Sequence, residues 1–203
     1  MFFAKRRLLM VAGPSGSGKS TFIRLMTDNN QNIFTNEVLR KTLSCNRIKA
    51  KRLKGNKLRD IFSEQRNFLD AIKGHRDFIL HIDTTGPRYK ENLILLPELF
   101  KIFDVIASVQ VFTQIDIWYQ RNIERIENKT QKPSKIVKRI LKLYSSEKAR
   151  KTKKAESVYL KSFTDWESFL TSNGISRQLK IDTIKQTINY SSIADKSDQD
   201  KFS

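Results

Sequence analysis

The chain has 203 residues, 38% of them hydrophobic and 30% charged, and its 39 Lys and Arg against 21 Asp and Glu give a formal net charge of +18. This length supports one substantial core and excludes two ordinary domains, and no apolar run reaches the roughly 18 residues that a membrane-spanning helix needs. The single cysteine, Cys45, excludes an internal disulfide and a cysteine-based zinc cluster and suits a reducing cytoplasm, while the positive charge implies attraction to phosphates or other polyanions.

In chain order, the apolar run Arg7–Ala12 predicts a buried strand. The preceding basic residues do not make it a signal peptide, because the run leads directly into a glycine-rich loop that cleavage would destroy. That loop is Gly13-Pro14-Ser15-Gly16-Ser17-Gly18-Lys19-Ser20, followed by Thr21, and it satisfies G-x-x-x-x-G-K-[ST]. Glycines in this pattern let backbone N–H groups converge on a polyphosphate. Lys19 is placed to neutralise the β and γ phosphates, Ser20 to ligate Mg²⁺ through its hydroxyl, and the helix predicted over Lys19–Thr27 to add its positive end. Residues 13 to 21 are therefore expected to hold a nucleoside triphosphate.

Next comes a segment, about 28 to 73, expected to bind an acceptor. It contains the run RIKAKRLKGNKLR, Arg47 to Arg59, with no acid in it. Leu58, Ile61, Phe62, Phe68, Leu69 and Ile72 predict a helix over Leu58–Ile72. A strand near Ser44–Ile48 is left open. Cys45 has no local activator and is expected to be passive, in the core or at its boundary.

A second strand is predicted over Asp77–Ile82, with Asp83 at its end. In parallel sheets, ligands collect beyond the carboxyl ends of the strands. Asp83 is therefore a candidate to face the nucleotide, either holding Mg²⁺ or polarising an attacking hydroxyl. Capping a turn in DTTGPRY is its structural alternative. His81, inside the strand, is expected to be a hydrogen-bonded core or supporting residue rather than a catalytic base.

A helix over Asn92–Ile102, containing Pro97, and a strand over Val105–Thr113 follow. In the helix predicted over Ile115–Asn128, Ile115, Trp118, Tyr119, Ile123 and Ile126 share one side, and Arg121 and Arg125 lie four apart on another. From Lys132 to Lys154 a single acid, Glu147, stands among many basic residues; this stretch includes the helix pattern Ile136–Tyr144, and Ala155–Leu170 is a further one. Asn173-Gly174 predicts a turn before a last strand, Arg177–Asp182. The polar tail from 190 to 203 has little to bury and is expected to be flexible. Strands alternating with helices give the α/β class with a parallel sheet.

The loop GPSGSGKST resembles that of guanylate kinase and the wider nucleoside and nucleotide kinase group. DVIASVQVFTQIDIWYQRNIER resembles the kinase pattern of an apolar strand, a short break and a helix carrying R-x-x-x-R into a lid over the phosphates. The resemblance implies a three-layer P-loop NTPase fold in one kinase-like domain, residues 1 to 189, with a basic helical lid over about 121 to 155. It further implies ATP and Mg²⁺ as cofactors, and Arg121 and Arg125, with Lys132 and Lys135, touching the transferring phosphoryl group. Guanylate kinase's tyrosine-rich acceptor region has no counterpart between Asp28 and Lys73, so its acceptor is not carried over.

The expected function is transfer of the γ-phosphoryl of ATP to a small anionic acceptor such as a nucleotide or phosphosugar, in the cytoplasm and without a membrane span. The alternative is a GTPase. Asp83-Thr84-Thr85-Gly86 matches D-x-x-G and resembles the signal-recognition-particle GTPases, but TQID, Thr113 to Asp116, has Gln114 in place of the lysine of T/N-K-x-D. NKTQ at Asn128 lacks the aspartate that accepts from guanine. The basic clusters also leave open nucleic acid as a partner of a nucleotide-switched module. Residues 47 to 59 contain no aromatic for base stacking, which leaves only backbone electrostatics.

Overall fold

The structure is a computed structural model describing residues 5–28, 32–58, 75–128, 132–146 and 153–189. The strands are β1 (Arg7–Gly13), β2 (Lys51–Lys54), β3 (Asp77–Asp83), β4 (Val105–Phe112), β5 (Gln178–Asp182) and β6 (Thr187–Asn189). They form one sheet in the order β2-β3-β1-β4-β5-β6. All pairings are parallel except β5 with β6. The helices are α1 (Lys19–Thr27), α2 (Ile33–Leu43), α3 (Tyr89–Phe100), α4 (Ile115–Glu127), α5 (Lys135–Ser145) and α6 (Lys154–Ser172), with a 3₁₀ turn at Gly55–Lys57.

β1 is central because it is apolar on both faces, as a parallel strand covered on both sides must be. Leu8, Met10 and Ala12 pack with Leu96 and Leu99 of α3 and Trp166 and Leu170 of α6. Leu9 and Val11 pack with Phe22, Ile23 and Met26 of α1 and with Phe34, Val38, Leu39 and Leu43 of α2. The result is the three-layer α/β arrangement expected, a sheet flanked by helices. A third cluster joins Trp118 of α4, Val137, Ile140 and Leu141 of α5, and Tyr159 and Phe163 of α6. The i, i+3, i+4 spacing of the α5 residues builds that face.

Two contacts fix the frame of the sheet. Arg7 pairs with Asp77 through two 2.7 Å hydrogen bonds, locking the first residues of β1 and β3, which are register partners. Trp166 Nε1 donates to Ser108 Oγ at 3.0 Å and ties α6 to β4.

Four predicted strands are present. β2, α2 and β6 are additional to the elements the sequence predicts, and β2 begins after the 44–48 stretch. Cys45 is half-buried and packs against the α1–α2 side of the core. α3 starts at Tyr89, three residues before the predicted start, and carries Pro97 within it. Leu58 is buried, but the rest of the helix predicted over Leu58–Ile72 and the tail from 190 lie outside the described residues. The same is true of parts of the expected acceptor segment and lid. No helix among the described residues is long and apolar enough to cross a membrane.

Candidate active site around the glycine loop

β1 has β3 on one side and β4 on the other, so the sheet order reverses there and a crevice opens beyond the carboxyl ends of the three strands. The glycine loop leaves β1 into that crevice. Gly16 and Gly18 have φ of +93° and +102°, values that side-chain-bearing residues rarely adopt. Space is equally short. A Cβ at Gly16 would lie 2.5 Å from Asn122 Nδ2, and one at Gly18 would lie 2.8 Å from Thr183 Oγ1.

Lys19, the first residue of α1, folds back on the loop and donates to Gly13 O and Pro14 O, both at 2.8 Å. Its side chain is buried, and burial lowers its pKa to about 8; Asp83 opposes that shift and Arg125 adds to it. Ser20 and Thr21 are exposed at the start of the helix.

Asp83 ends β3 as the register partner of Gly13. Thr84 N donates to Gly13 O at 3.0 Å. Thr85 donates to Asp83 Oδ1 twice, from its backbone N at 3.0 Å and from its hydroxyl at 2.9 Å, and that hydroxyl accepts from Ser15 N at 3.1 Å. Asp83 therefore does cap the turn, and through Thr85 its carboxylate is coupled to the loop.

α4 supports the loop from the other side. Trp118 Nε1 donates to Ser15 O at 2.8 Å, and Asn122 Nδ2 reaches Ser15 O at 3.3 Å and Trp118 O at 2.8 Å. Arg121 Nη1 approaches Gly16 O at 3.5 Å. Arg125 acts on the charge of Lys19. Arg121 and Arg125 are thus gathered with Lys19 and Asp83, whereas Lys132 and Lys135 are exposed, and no hydrogen bond or ion pair among the described residues joins either to the loop. Asp116 is also exposed, in the first turn of α4.

Beside the loop lies a cavity of about 610 Å³, lined on the loop side by Ser20 and Asp83. Among the described residues its cations are Lys54, Lys57 and Arg88, and His81, Tyr89 and Asn92 complete much of the wall. Burial, aided by Lys19 and Lys54 against the opposing charge of Asp83, lowers the His81 pKa to about 4, so the imidazole is neutral at pH 7. Burial also raises the pKa of Tyr89, whose ring packs against Trp166. The basic run from Arg47 was legible as a cluster, but the entry of Lys54 and Lys57 into this cavity was not. Arg88, Asn92, Thr85, Trp118 and Asn122 were missed as site residues. Thr85 lies inside the D-x-x-G match, and Trp118 and Asn122 form a four-residue pair on the helix that bears the arginines.

No protein-family profile matches the chain, and no curated protein matches its sequence. Among solved structures, one similar chain is a provisionally assigned kinase from Chloroflexus aurantiacus, with 12% identity, 64% of this chain and 71% of that chain covered, and a TM-score of 0.37. Another is shikimate kinase from Acinetobacter baumannii in complex with shikimate, with 13% identity, 94% and 88% covered, and a TM-score of 0.34. Likeness at this level carries no weight for activity, which must be read from the site.

Proposed function

We propose that the protein is a P-loop kinase that uses Mg²⁺ and transfers the γ-phosphoryl of ATP to a small anionic acceptor in the cavity beside the loop. The observation that carries this reading is that Ser20 and Asp83, the two residues suited to a phosphate-bound Mg²⁺, also line that cavity. Donor and acceptor sites would then meet at one pair of oxygen ligands. Both are hard oxygen donors, and Mg²⁺ commonly takes one or two carboxylates together with substrate phosphates and waters, so the residues fit the ion. When bound, Mg²⁺ withdraws charge from the phosphate oxygens.

In this mechanism the N–H groups that the glycine loop and the first turn of α1 leave free cradle the phosphates, and Lys19 exchanges its two carbonyl partners for the β and γ oxygens. Thr85 occupies Asp83 Oδ1, which leaves Oδ2 to attract the proton of an acceptor hydroxyl. The acceptor oxygen forms a bond to the γ-phosphorus, the bond from that phosphorus to the β,γ-bridging oxygen breaks, and ADP leaves. Arg121 and Arg125 neutralise charge on the moving group, with the segment from about 121 to 155 acting as the lid. Lys54, Lys57 and Arg88 attract the acceptor's anionic group. A cytoplasmic setting, in which ATP is available and Cys45 stays reduced, belongs to the same proposal.

A GTPase would need Asp116 at the base, yet Asp116 is exposed while Trp118, Arg121 and Asn122 of the same helix face the loop. Calorimetry with ATP and Mg²⁺ tests the kinase reading. The wild type should bind and Lys19→Ala should lose binding by orders of magnitude, with an unchanged circular dichroism spectrum. A wild type that binds no ATP, or a variant that binds equally well, would overturn it.

A further inference from the structure

Asn92 is 4% exposed and lines the cavity, yet its side-chain amide makes no hydrogen bond among the described residues. A buried amide carries two donor hydrogens and a carbonyl acceptor, and leaving them unmatched is costly. Its atoms are not sealed in the core, so its partner comes from the cavity. The approach of the basic turn reinforces this. A Cβ at Gly55 would lie 2.9 Å from Asn92 Nδ2 and 3.1 Å from His81 O, so the turn between Lys54 and Lys57 comes close against the amide.

The rest of the wall restricts the ligand. Among the described residues that line it, Pro87 and Tyr89 carry apolar side chains, and the Tyr89 ring packs against Trp166. A nucleobase stacks on an open ring face, and the Tyr89 ring is already packed against Trp166. Among the described lining residues, the cations Lys54, Lys57 and Arg88 accompany one carboxylate, Asp83, which suits an anionic ligand. Hydroxyl groups, each both donor and acceptor, match an amide that offers both functions. A volume of about 610 Å³ is that of a small-molecule site.

We infer that the acceptor is a phosphorylated polyol of sugar size, with its phosphate held by Lys54, Lys57 and Arg88 and its hydroxyls read by Asn92. This rests on the kinase reading for the chemistry, but the binding claim can be tested apart from it. The full chain, with and without a non-hydrolysable ATP analogue and Mg²⁺, is titrated calorimetrically with ribose 5-phosphate, glucose 6-phosphate, glycerol 3-phosphate, free ribose, AMP and a 5′-phosphorylated oligonucleotide. At least one sugar or polyol phosphate should bind tenfold or more tighter than free ribose and tighter than AMP or the oligonucleotide. Asn92→Leu, of similar volume, should weaken that ligand by roughly tenfold or more, because the hydroxyls lose their buried partner, while the ATP analogue binds as before. Asn92→Asp, which keeps the shape but repels the phosphate, should weaken it as well, and melting curves establish that each variant is folded. Failure of every polyol phosphate to bind, preference for AMP or the oligonucleotide, or unchanged binding in both folded variants overturns the inference. Failure of the ATP analogue alone overturns the kinase reading instead.

Discussion

Trp118 Nε1 donates to Ser15 O at 2.8 Å, so the middle of the glycine loop is fastened to a residue more than a hundred positions later in the chain. On the opposite side, Ser15 N donates to Thr85 Oγ1 at 3.1 Å. One peptide segment is thereby held between α4 and the end of β3, which fixes the directions in which the loop's remaining N–H groups point. Preorganised donors of this kind bind an anion without first having to be ordered.

Trp118→Phe removes the indole donor and keeps an aromatic ring against Tyr159, whose centroid is 5.2 Å away. The net loss of one neutral hydrogen bond is about 1 kcal/mol, which corresponds to roughly fivefold in affinity. Calorimetry should show ATP binding weakened by about that factor and only a small change in melting temperature. A variant that binds as tightly as wild type would mean that the loop holds its shape without α4.

Thr85 and Asp83 should separate by kinetics. Asp83→Asn removes the carboxylate and should lower kcat strongly. Thr85→Val removes only the hydroxyl that links Asp83 Oδ1 to Ser15 N and leaves the backbone bond in place. Thr85 is a positioning residue, so its loss should reduce kcat by roughly tenfold, with KM for ATP changed less. A Thr85→Val enzyme with normal kcat and raised KM would assign the hydroxyl to ground-state binding instead.

The parts of this site that the sequence reveals are those with a local pattern. The apolar run of β1, the G-x-x-x-x-G-K-S loop, the acid ending β3 and the R-x-x-x-R spacing in α4 each state their chemistry within a few residues. β2 does not. In Lys51–Lys54 only Leu53 is buried, and the segment is a strand because it pairs with β3 from Phe78 to His81. Asn92 is equally silent, since an asparagine in an early helical turn reads as solvent-facing until the turn at Gly55 is seen to close over it. β6 is three residues long and has no period to read. α2 did carry a signal that was passed over, because Asn32 caps it by accepting from Thr35 N at 2.8 Å and Phe34, Val38 and Leu39 share its buried face.

The Lys19 pKa of about 8 predicts a pH effect with a definite sign. In the free protein Lys19 loses its proton near pH 8, well below the usual lysine value, while a bound polyphosphate would keep it charged. Between about pH 8 and 10.5, nucleotide binding must therefore take up a proton, and affinity should fall as pH rises through this window. In the same window the unfolded chain keeps the proton that the free fold has lost, so the penalty that burying this group places on folding shrinks as pH rises. Calorimetry at pH 8.5 in buffers of different ionisation enthalpy should detect the uptake, and Lys19→Arg, which stays charged, should abolish it. Buffer-independent heats in the wild type would show that Lys19 does not titrate on binding.

Arg121 and Arg125 lie four residues apart on α4, one beside Gly16 O and the other acting on the charge of Lys19, so a phosphate at the loop would be within the field of both. In a kinase their effect is largest when charge spreads over the moving phosphoryl group, and replacing either by Ala should cut transfer roughly tenfold or more. Lys at either position should rescue only in part, since a point charge does not reproduce the guanidinium fork. Arg121→Ala also removes the 3.5 Å contact with Gly16 O, so its ATP affinity must be measured beside its rate. Asp116 supplies the contrast, because it belongs to the same helix but is exposed in its first turn. Asp116→Ala should leave ATP turnover and the ratio of ATP to GTP affinity unchanged. If the Asp116 variant instead loses a preference for GTP while both arginine variants remain fully active, α4 follows a guanine-reading segment, and the protein is a GTPase rather than a kinase.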